Sequence, residues 1–313
     1  MGFWAGYWGT LKSRDIEEPI DVWLHRPLAY LLARAAYPTP ISANQITLGS
    51  IVFGVAAGAC FLAEFPYHVQ VGGVCLFWSA VWDCADGQLA RMRGTGSAFG
   101  RALDGVADMI VSICAMGGAI YLVWKQFHDP WWVGALAVLL GVITVNTGAS
   151  HTGAYDMYKN VYLRMTKPGY SEAEDIADAE ARYAANPPRS WVEKVARFFY
   201  YVHVKAQRAR MREFDPGLAD YGDFPEYSEE LAARYREMAL PTMKLWRGWF
   251  GFGSLVFGVS LFCVLDQIAL YLVLRLVLLN AFYYLYMRPR QRRLTLSLVE
   301  QGILPKRRMP DPS

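Results

Sequence analysis

Residues 83–108 read DCADGQLARMRGTGSAFGRALDGVAD. The stretch lies between two apolar runs, Val69–Trp82 and Met109–Trp124, and it contains four carboxylates. These are Asp83, Asp86, Asp104 and Asp108. Ionised side chains so close to membrane hydrocarbon are costly and by default indicate a function. The stretch therefore predicts membrane-embedded helices with a functional site between them.

The composition of the 313-residue chain indicates a membrane protein. Hydrophobic residues make up 54% and charged residues only 19%, with 11 Trp and 19 Tyr. A soluble domain needs a more polar surface than this mixture provides. The net charge of +3 does not indicate nucleic-acid binding. The five cysteines lie in or beside apolar runs, so we interpret them as small buried residues and not as a disulfide framework.

Six stretches are close to the ~20 residues that a helix needs to cross a bilayer. They are Asn44–Ala63, Tyr67–Arg91, Ala98–Trp124, Trp131–Ser150, Trp246–Leu265 and Gln267–Met287. Before them, Asp15–Tyr37 carries an apolar stripe at helical spacing that is too narrow for a span, which favours an interfacial helix. The predicted fold is an all-α integral membrane protein with six transmembrane helices, an N-terminal interfacial amphipathic helix and a helical cytoplasmic insertion between spans four and five.

Hydropathy and charge divide the chain into five parts. They are a cytoplasmic or interfacial segment (1–43), transmembrane helices one to four with the aspartates (44–154), a helical cytoplasmic insertion (155–244), transmembrane helices five and six (245–287) and a basic cytoplasmic tail (288–313). Lys and Arg concentrate in the first segment, the 91–101 turn, the insertion and the tail. The positive-inside rule places these parts, both termini and the aspartates on the cytoplasmic side of the inner membrane. The insertion is either a cap packed on the core or a surface for anionic headgroups.

The spacing of the aspartates predicts a shared acidic site. Asp83 and Asp86 are three residues apart and Asp104 and Asp108 are four apart, so each pair shares a helix face. Two carboxylates ~5 Å apart repel by roughly 3 kcal/mol at an effective dielectric constant near 20, so four of them need compensating cations. Oxygen ligands select hard ions such as Mg²⁺, Mn²⁺ or Ca²⁺, and four carboxylates can bridge two of them.

Residues beside the aspartates favour a phosphate-containing ligand. Gly87 leaves room for close approach to the backbone, Arg91 offers a fork of donors, and Ser97 adds a hydroxyl. Two cations and an arginine are what phosphoryl transfer requires, because that reaction depends on positioning and charge neutralisation.

The pattern D-x-x-D-G-x-x-A-R-x₈-G-x₃-D-x₃-D resembles the signature of the CDP-alcohol phosphotransferase (CDP-alcohol phosphatidyltransferase) family. Its eight fixed positions are Asp83, Asp86, Gly87, Ala90, Arg91, Gly100, Asp104 and Asp108. The segment Asn44-Gln45-Ile46-Thr47 is similar to the family's Asn-x-x-Thr element. The resemblance covers roughly Asp15–Tyr155 and extends to the last two spans by hydropathy only.

The resemblance implies that a CDP-linked alcohol donates its phosphoalcohol group to the hydroxyl of a second alcohol, with release of CMP. It implies that the four aspartates hold two divalent cations, Mg²⁺ or Mn²⁺, and that Asp108 also accepts the proton of the attacking hydroxyl. It further implies a homodimer among membrane lipids and a site for the nucleotide and pyrophosphate. The residues implied for that site are Gly87, Ala90, Arg91, Ser97, Gly100, Asn44 and Thr47.

The favoured interpretation is phospholipid biosynthesis with CDP-diacylglycerol as donor and a small polar alcohol as acceptor. Inositol, inositol phosphate, glycerol phosphate and serine all remain open as acceptors. The lipid role is reversed if CDP-choline or CDP-ethanolamine donates to a lipid, and the signature does not separate the two cases. A divalent-cation transporter is the alternative from another class, although it predicts carboxylates near the bilayer midplane. A family member without catalysis is a further alternative, against which the complete signature argues.

Overall fold

A computed structural model describes residues 3–11, 13–96, 98–170, 194, 209, 212–216, 218 and 224–304, without the side chains of residues 98, 99, 101 and 102. Over these ranges the chain is helical and contains no β-strand, so the predicted all-α fold is confirmed there. The helices are α1 (Phe3–Gly9), α2 (Arg26–Ala36), α3 (Ala43–Leu62), α4 (His68–Arg93), α5 (Ala98–Ser112), α6 (Gly118–Phe127), α7 (Trp131–Thr166), α8 (Glu229–Trp249), α9 (Phe252–Val264), α10 (Ile268–Leu274) and α11 (Arg288–Glu300). Stretches of π-helix occupy Asp21–His25, Ile113–Gly117, Arg275–Leu279 and Phe282–Met287.

The chain forms two compact units. The first consists of Met1–Ala149 and Arg247–Leu279, and the second of Ser150–Trp246 and Asn280–Ser313. All four signature aspartates belong to the first unit.

Helix α4 is the centre of the first unit. Helices α2, α3 and α9 each pack along it, and α5 packs against α3. Gly73 lets α9 come close, because a Cβ there would lie 2.7 Å from the Ser260 carbonyl oxygen. The Ser260 hydroxyl in turn donates to the Gly73 carbonyl oxygen at 2.7 Å. Apolar side chains such as Phe61, Leu76 and Val259 fill the core around this contact.

Local signals determine where the helices of the acidic stretch begin and end. Helix α3 starts with a capping box, in which the Gln45 N–H donates to the Ser42 hydroxyl (3.3 Å) and the Ser42 N–H donates to the Gln45 side chain (2.8 Å). Helix α4 ends at Gly94, whose φ of 66° lies in the left-handed region that glycine adopts without strain. Helix α5 begins shortly afterwards at Ala98, so the chain reverses within a short turn.

Five stretches of helix in the described part are long and apolar enough to cross a membrane. They are Ala43–Leu62, Leu103–Phe127, Trp131–Thr166, Glu229–Val264 and Ile268–Glu300. Each overlaps one of the predicted spans. The remaining predicted span, Tyr67–Arg91, forms α4, whose last turns carry Asp83, Asp86, Arg91 and Arg93. The six-span topology therefore stays a prediction.

The segment predicted to lie in the membrane interface is helical over Asp21–Ala36. Its small residues Ala29 and Ala33 are fully buried in the cluster that α2 shares with α3 and α4. Trp23 and Leu31, which belong to the predicted apolar stripe, are 67% and 52% exposed. Leu28 packs against the same cluster, so the large side chains of this helix are divided between the core contact and the accessible surface. The position of this helix in the interface stays a prediction.

The buried side chain of Glu18 connects the N-terminal segment to helix α9 within the first unit. Glu18 accepts hydrogen bonds from the backbone N–H groups of Gly253 (3.1 Å) and Ser254 (2.7 Å) and from the Ser254 hydroxyl (2.7 Å). These groups belong to the first turn of α9, where N–H groups have no partner within the helix. Burial, followed by the charge of Asp21, raises the pKa of Glu18 to about 8. The segment therefore caps α9, a role that the sequence did not indicate.

Gly251→Ala is expected to destabilise the protein by about 2–4 kcal/mol, because a Cβ there would overlap the Glu18 carboxyl group and break its buried hydrogen bonds. The matched control is Gly248→Ala, where nothing lies within 4 Å of the added Cβ and alanine favours the helix. Thermal unfolding in detergent measures both variants. Equal melting temperatures for the two would contradict the capping role of Glu18.

The predicted insertion (155–244) falls within the bounds of the second unit. Helix α7 continues to Thr166, beyond the predicted end of the fourth span at Ser150. Asp215 accepts hydrogen bonds from the hydroxyls of Tyr158 on α7 (3.1 Å) and Thr295 on α11 (2.6 Å). The described end of the insertion is thereby tied to the C-terminal helix. Most of the remaining insertion lies outside the described residues, so its helical character stays a prediction.

Candidate active site

Three of the four signature aspartates converge. Asp83 and Asp86 lie near the C-terminal end of α4 and Asp104 lies near the N-terminal end of α5. One carboxylate oxygen of each residue lies within 4.8 Å of the other two. The helical spacing on α4 and the reversal at Gly94 bring these oxygens together.

The acidic cluster contains an oxygen that the described residues leave unsatisfied. Asp83 Oδ1 is buried and has no hydrogen-bond partner among the described residues. Buried polar atoms are normally paired with a donor or a cation. The atoms of this cluster that could bind a cation are all carboxylate oxygens. Mg²⁺, Mn²⁺ and Ca²⁺ prefer ligands of this type. The residues present therefore fit a divalent-cation site.

Asp108 borders this cluster from α5. It lies one turn after Asp104 and is not part of the close group of three in the described structure. Asp108 therefore takes a position on α5 that is distinct from that of the three converging carboxylates.

Thr47 orients Asp86 from the neighbouring helix α3. Its hydroxyl lies 2.5 Å from Asp86 Oδ2, to which it donates, and both side chains are buried. The same hydroxyl lies 3.2 Å from the Ala43 carbonyl oxygen, which restricts its rotation. Asn44, one turn earlier on α3, is half-buried. The capping box at Ser42 fixes the residue at which α3 begins and therefore the position of Thr47 along α4.

The guanidinium group of Arg91 lies over Gly87. A Cβ at Gly87 would stand 3.2 Å from Arg91 Nη1 and 3.5 Å from Nη2, so the absent side chain leaves space for the group. On its other edge, Arg91 Nε donates to the Thr10 carbonyl oxygen at 2.6 Å. The guanidinium is therefore held beside the residue that follows Asp86.

The guanidinium group of Arg93, by contrast, donates its hydrogen bonds to the backbone of the protein. Its guanidinium donates at 2.6–3.0 Å to the backbone carbonyls of Ala36, Tyr37, Thr39 and Ile41. These bonds tie the end of α4 to the linker between α2 and α3, so Arg93 has a structural role.

The other predicted ligand-binding residues have less defined surroundings. Ala90 lies on the last turns of α4 and Gly100 on the first turn of α5, and both are half-buried. Ser97 lies outside the described residues. For these three positions a contact with a nucleotide stays a prediction.

Residues 40–163 match the family model described as CDP-alcohol phosphatidyltransferase. That range includes Asn44, Thr47 and every position of the signature. The chain contains a CDP-alcohol phosphatidyltransferase domain. The family resemblance of the sequence is therefore confirmed.

Proteins similar to the chain include three that are named phosphatidylinositol phosphate synthase. The protein of Mycobacteroides abscessus is 35% identical over 103 residues, covering 32% of this chain and 42% of that protein. The protein of Mycobacterium tuberculosis is 34% identical over 107 residues, covering 31% and 48%. The protein of Corynebacterium glutamicum is 26% identical over 125 residues, covering 40% and 51%. The chain thus spans about half the length of these relatives.

Thr10, which precedes the matched range, contacts the signature residue Arg91 and its neighbour Gln88. The fully buried Gln88 donates through Nε2 to the Thr10 hydroxyl at 3.1 Å, next to the Arg91 contact. Sequence reasoning missed both Thr10 and Gln88. Position 88 is unspecified in the signature, and Thr10 precedes the matched range without belonging to any motif.

Proposed function

We propose that the protein catalyses metal-dependent transfer of a phosphatidyl group from CDP-diacylglycerol to the hydroxyl of a small polar alcohol, with release of CMP. The observation that carries the proposal is the convergence of Asp83, Asp86 and Asp104 within 4.8 Å, inside the matched domain. The placement of Arg91 over Gly87 beside this cluster adds a phosphate-binding group.

The four aspartates would hold two divalent cations, Mg²⁺ or Mn²⁺. The Asp83 Oδ1 atom supports this assignment, because it is a buried carboxyl oxygen that has no hydrogen-bond donor among the described residues. When bound, such a pair of cations neutralises charge on the transferred phosphoryl group and on the leaving group. Thr47 would keep Asp86 in the orientation that a ligand needs.

The side chains of the protein would bind the donor and accept a proton. Arg91 would donate from Nη1 and Nη2 to the pyrophosphate of the CDP group. The rest of the nucleotide would be lined by Gly87, Ala90, Ser97, Gly100, Asn44 and Thr47. Asp108 would take the proton from the acceptor hydroxyl as its oxygen bonds to the phosphorus and the bond to CMP breaks.

The lipid donor requires a site that is accessible from the membrane. We propose a homodimer in the cytoplasmic (inner) membrane with the active site and both termini facing the cytoplasm. The distribution of Lys and Arg between the loops supports this orientation. The position of the carboxylates at the C-terminal end of α4 and the start of α5 favours an interfacial transferase over a transporter with a site at the midplane.

Inositol phosphate is the first acceptor to test, because the similar proteins are named phosphatidylinositol phosphate synthase. Inositol, glycerol phosphate and serine complete a panel of acceptors. The purified protein is incubated in detergent and lipid with CDP-diacylglycerol, Mg²⁺ and each acceptor, and CMP release is followed. We expect CMP release that depends on one acceptor.

A parallel reaction with CDP-choline or CDP-ethanolamine and diacylglycerol tests the reversed lipid role. The absence of CMP release from every donor and acceptor pair, with either Mg²⁺ or Mn²⁺, would contradict the proposal. Uptake of divalent cations by proteoliposomes under the same conditions would then support the transporter alternative.

Thr47→Val is expected to weaken the apparent affinity for the activating cation about 10-fold, because Asp86 loses the donor that orients it. Thr47→Ser keeps the hydroxyl and should retain most of the affinity. Thr144→Val is the matched control, since the buried Thr144 hydroxyl donates only to the Leu140 carbonyl oxygen of its own helix. Titration of CMP release with Mg²⁺ measures all three. Equal cation affinity in Thr47→Val and Thr144→Val would refute the orienting role.

A further inference from the structure

We propose that Thr10 is a positioning residue for the nucleotide site, and that it acts by holding Arg91 in place from outside the matched domain. The proposal rests on the proposed function, because it assigns the pyrophosphate of the CDP donor to Arg91. It adds a specific role for the N-terminal segment, which contributes no residue to the family signature.

Thr10 makes two contacts with one face of α4. Its carbonyl oxygen accepts from Arg91 Nε at 2.6 Å, and its hydroxyl accepts from Gln88 Nε2 at 3.1 Å. Gln88 and Arg91 are three residues apart, so they lie on the same side of the helix. Thr10 therefore bridges the two side chains and sets the direction in which the Arg91 side chain leaves α4.

Thr10 is itself held firmly enough to serve this purpose. Its hydroxyl donates to the Tyr7 carbonyl oxygen at 2.7 Å, and its backbone N–H donates to the same oxygen at 2.9 Å. The fully buried Tyr7 side chain donates from its hydroxyl to the Val22 carbonyl oxygen at 2.5 Å. Hydrogen bonds through Tyr7 and Thr10 thus connect the π-helical stretch Asp21–His25 to Arg91.

The geometry assigns separate tasks to the two edges of the guanidinium group. The Nε edge is occupied by the Thr10 carbonyl oxygen, while Nη1 and Nη2 lie over Gly87. Arginine carries five N–H donors in a rigid fork, so fixing one edge orients the other. A phosphate bound to that edge meets donors that are already ordered, which lowers the entropic cost of binding.

Thr10→Val tests the proposal, because valine keeps the shape of threonine and the carbonyl oxygen that Arg91 contacts but removes the hydroxyl. Through its bonds to Tyr7 and Gln88, that hydroxyl holds the carbonyl oxygen in place. We expect the dissociation constant for CDP and the KM for CDP-diacylglycerol to rise about 10-fold or more, since a misplaced hydrogen bond to a charged group loses at least that much. The kcat and the KM for the acceptor should stay within about twofold, as expected when a binding interaction common to ground and transition states is lost. Thr10→Ser should restore both values.

Thr242→Val is the matched control for a loss of stability alone. The buried Thr242 hydroxyl accepts from Arg290 Nε at 3.1 Å, in the second unit. It should lower the melting temperature without changing CDP binding. If Thr10→Val behaves in the same way, Thr10 is only structural and the proposal is wrong.

A double-mutant cycle makes the test specific to Arg91. In an Arg91→Ala background, Thr10→Val should cause no further loss of CDP affinity, whereas additive losses would contradict positioning through Arg91. If Thr10→Val does not fold, Gln88→Met breaks the same contact from α4 and should raise the dissociation constant in the same way.

The outcomes also separate this proposal from the proposed function. A wild-type protein that binds no CDP and releases no CMP refutes both. A wild-type protein that releases CMP, together with Thr10 and Gln88 variants of wild-type CDP affinity, refutes the positioning role alone.

Discussion

Asp108→Asn is expected to lower the rate of CMP release about 10³-fold. The amide keeps the size of the carboxylate and one oxygen, but it cannot accept the proton of the acceptor hydroxyl at neutral pH. General-base catalysis contributes about 10²–10⁴-fold to reactions of this kind. Asp108 is placed for this role because it lies one turn after Asp104 on α5 without joining the close group of three carboxylates.

The matched control for this substitution is Asp266→Asn. Asp266 is exposed at the end of α9 and has a φ of 56°, a conformation that asparagine also adopts readily. Both variants should elute as folded protein in detergent with similar melting temperatures, and only Asp108→Asn should lose CMP release. CMP release by Asp108→Asn within about tenfold of wild type would exclude Asp108 as the base.

Titration with Mg²⁺ separates two roles of Asp108 that the same substitution removes. If Asp108 acts as the base as well as a ligand, the rate stays low at saturating cation, whatever the change in cation affinity. If it acts mainly as a ligand, high cation concentrations restore much of the rate. We expect the first result, because the other three aspartates already supply three oxygens within 4.8 Å of one another.

The approach of Asp83 and Asp86 to Asp104 could be predicted from the sequence because its determinants are local. Aspartates three residues apart share a helix face, and a left-handed glycine at position 94 reverses the chain between the two helices. Thr47 could be predicted only through the family resemblance, since its partner Asp86 lies 39 residues further along the chain. Hydropathy likewise predicted helices from the lengths of apolar runs, and five of the six predicted spans overlap helices suited to crossing a membrane.

The N-terminal contacts could not be predicted, because they involve backbone atoms and large separations in sequence. Arg91 donates to a carbonyl oxygen 81 residues away, and every residue carries such an oxygen, so no pattern marks Thr10. The same reason applies to Arg93. Its four acceptors are the carbonyls that follow α2, and only the folded chain brings them to the end of α4.

The break between α8 and α9 shows a related limit. The predicted span Trp246–Leu265 treats this stretch as one apolar helix, whereas α8 ends at Trp249 and α9 starts at Phe252. Hydropathy averages over a window and cannot detect that Glu18 satisfies the N–H groups of a new helix start. The polar partner that permits the break comes from more than 200 residues earlier in the chain.

Removal of divalent cations with EDTA is expected to abolish CMP release, and Mg²⁺ or Mn²⁺ should restore it. Carboxylates about 5 Å apart repel by roughly 3 kcal/mol per pair at an effective dielectric constant near 20. Within the described part of the chain, Asp83 Oδ1 has no donor to offset this cost. Bound cations should therefore also stabilise the fold. A cation present at 100 times its dissociation constant adds about 2.7 kcal/mol, which a thermal unfolding measurement detects without any turnover.

Asp83→Asn is expected to change the melting temperature relative to wild type in opposite directions without and with cations. Without cations the substitution removes repulsion, so the variant should melt at a higher temperature than the wild type under the same conditions. With Mg²⁺ the order should reverse, because the wild type gains stability from the bound cation and the variant has lost a ligand. Asp266→Asn should show the wild-type response in both conditions. A cation-independent melting temperature for the wild type, or CMP release that persists in EDTA, would contradict a metal site at the three aspartates. The reversal is specific to such a site, because a purely structural acidic cluster would be relieved by asparagine at every cation concentration.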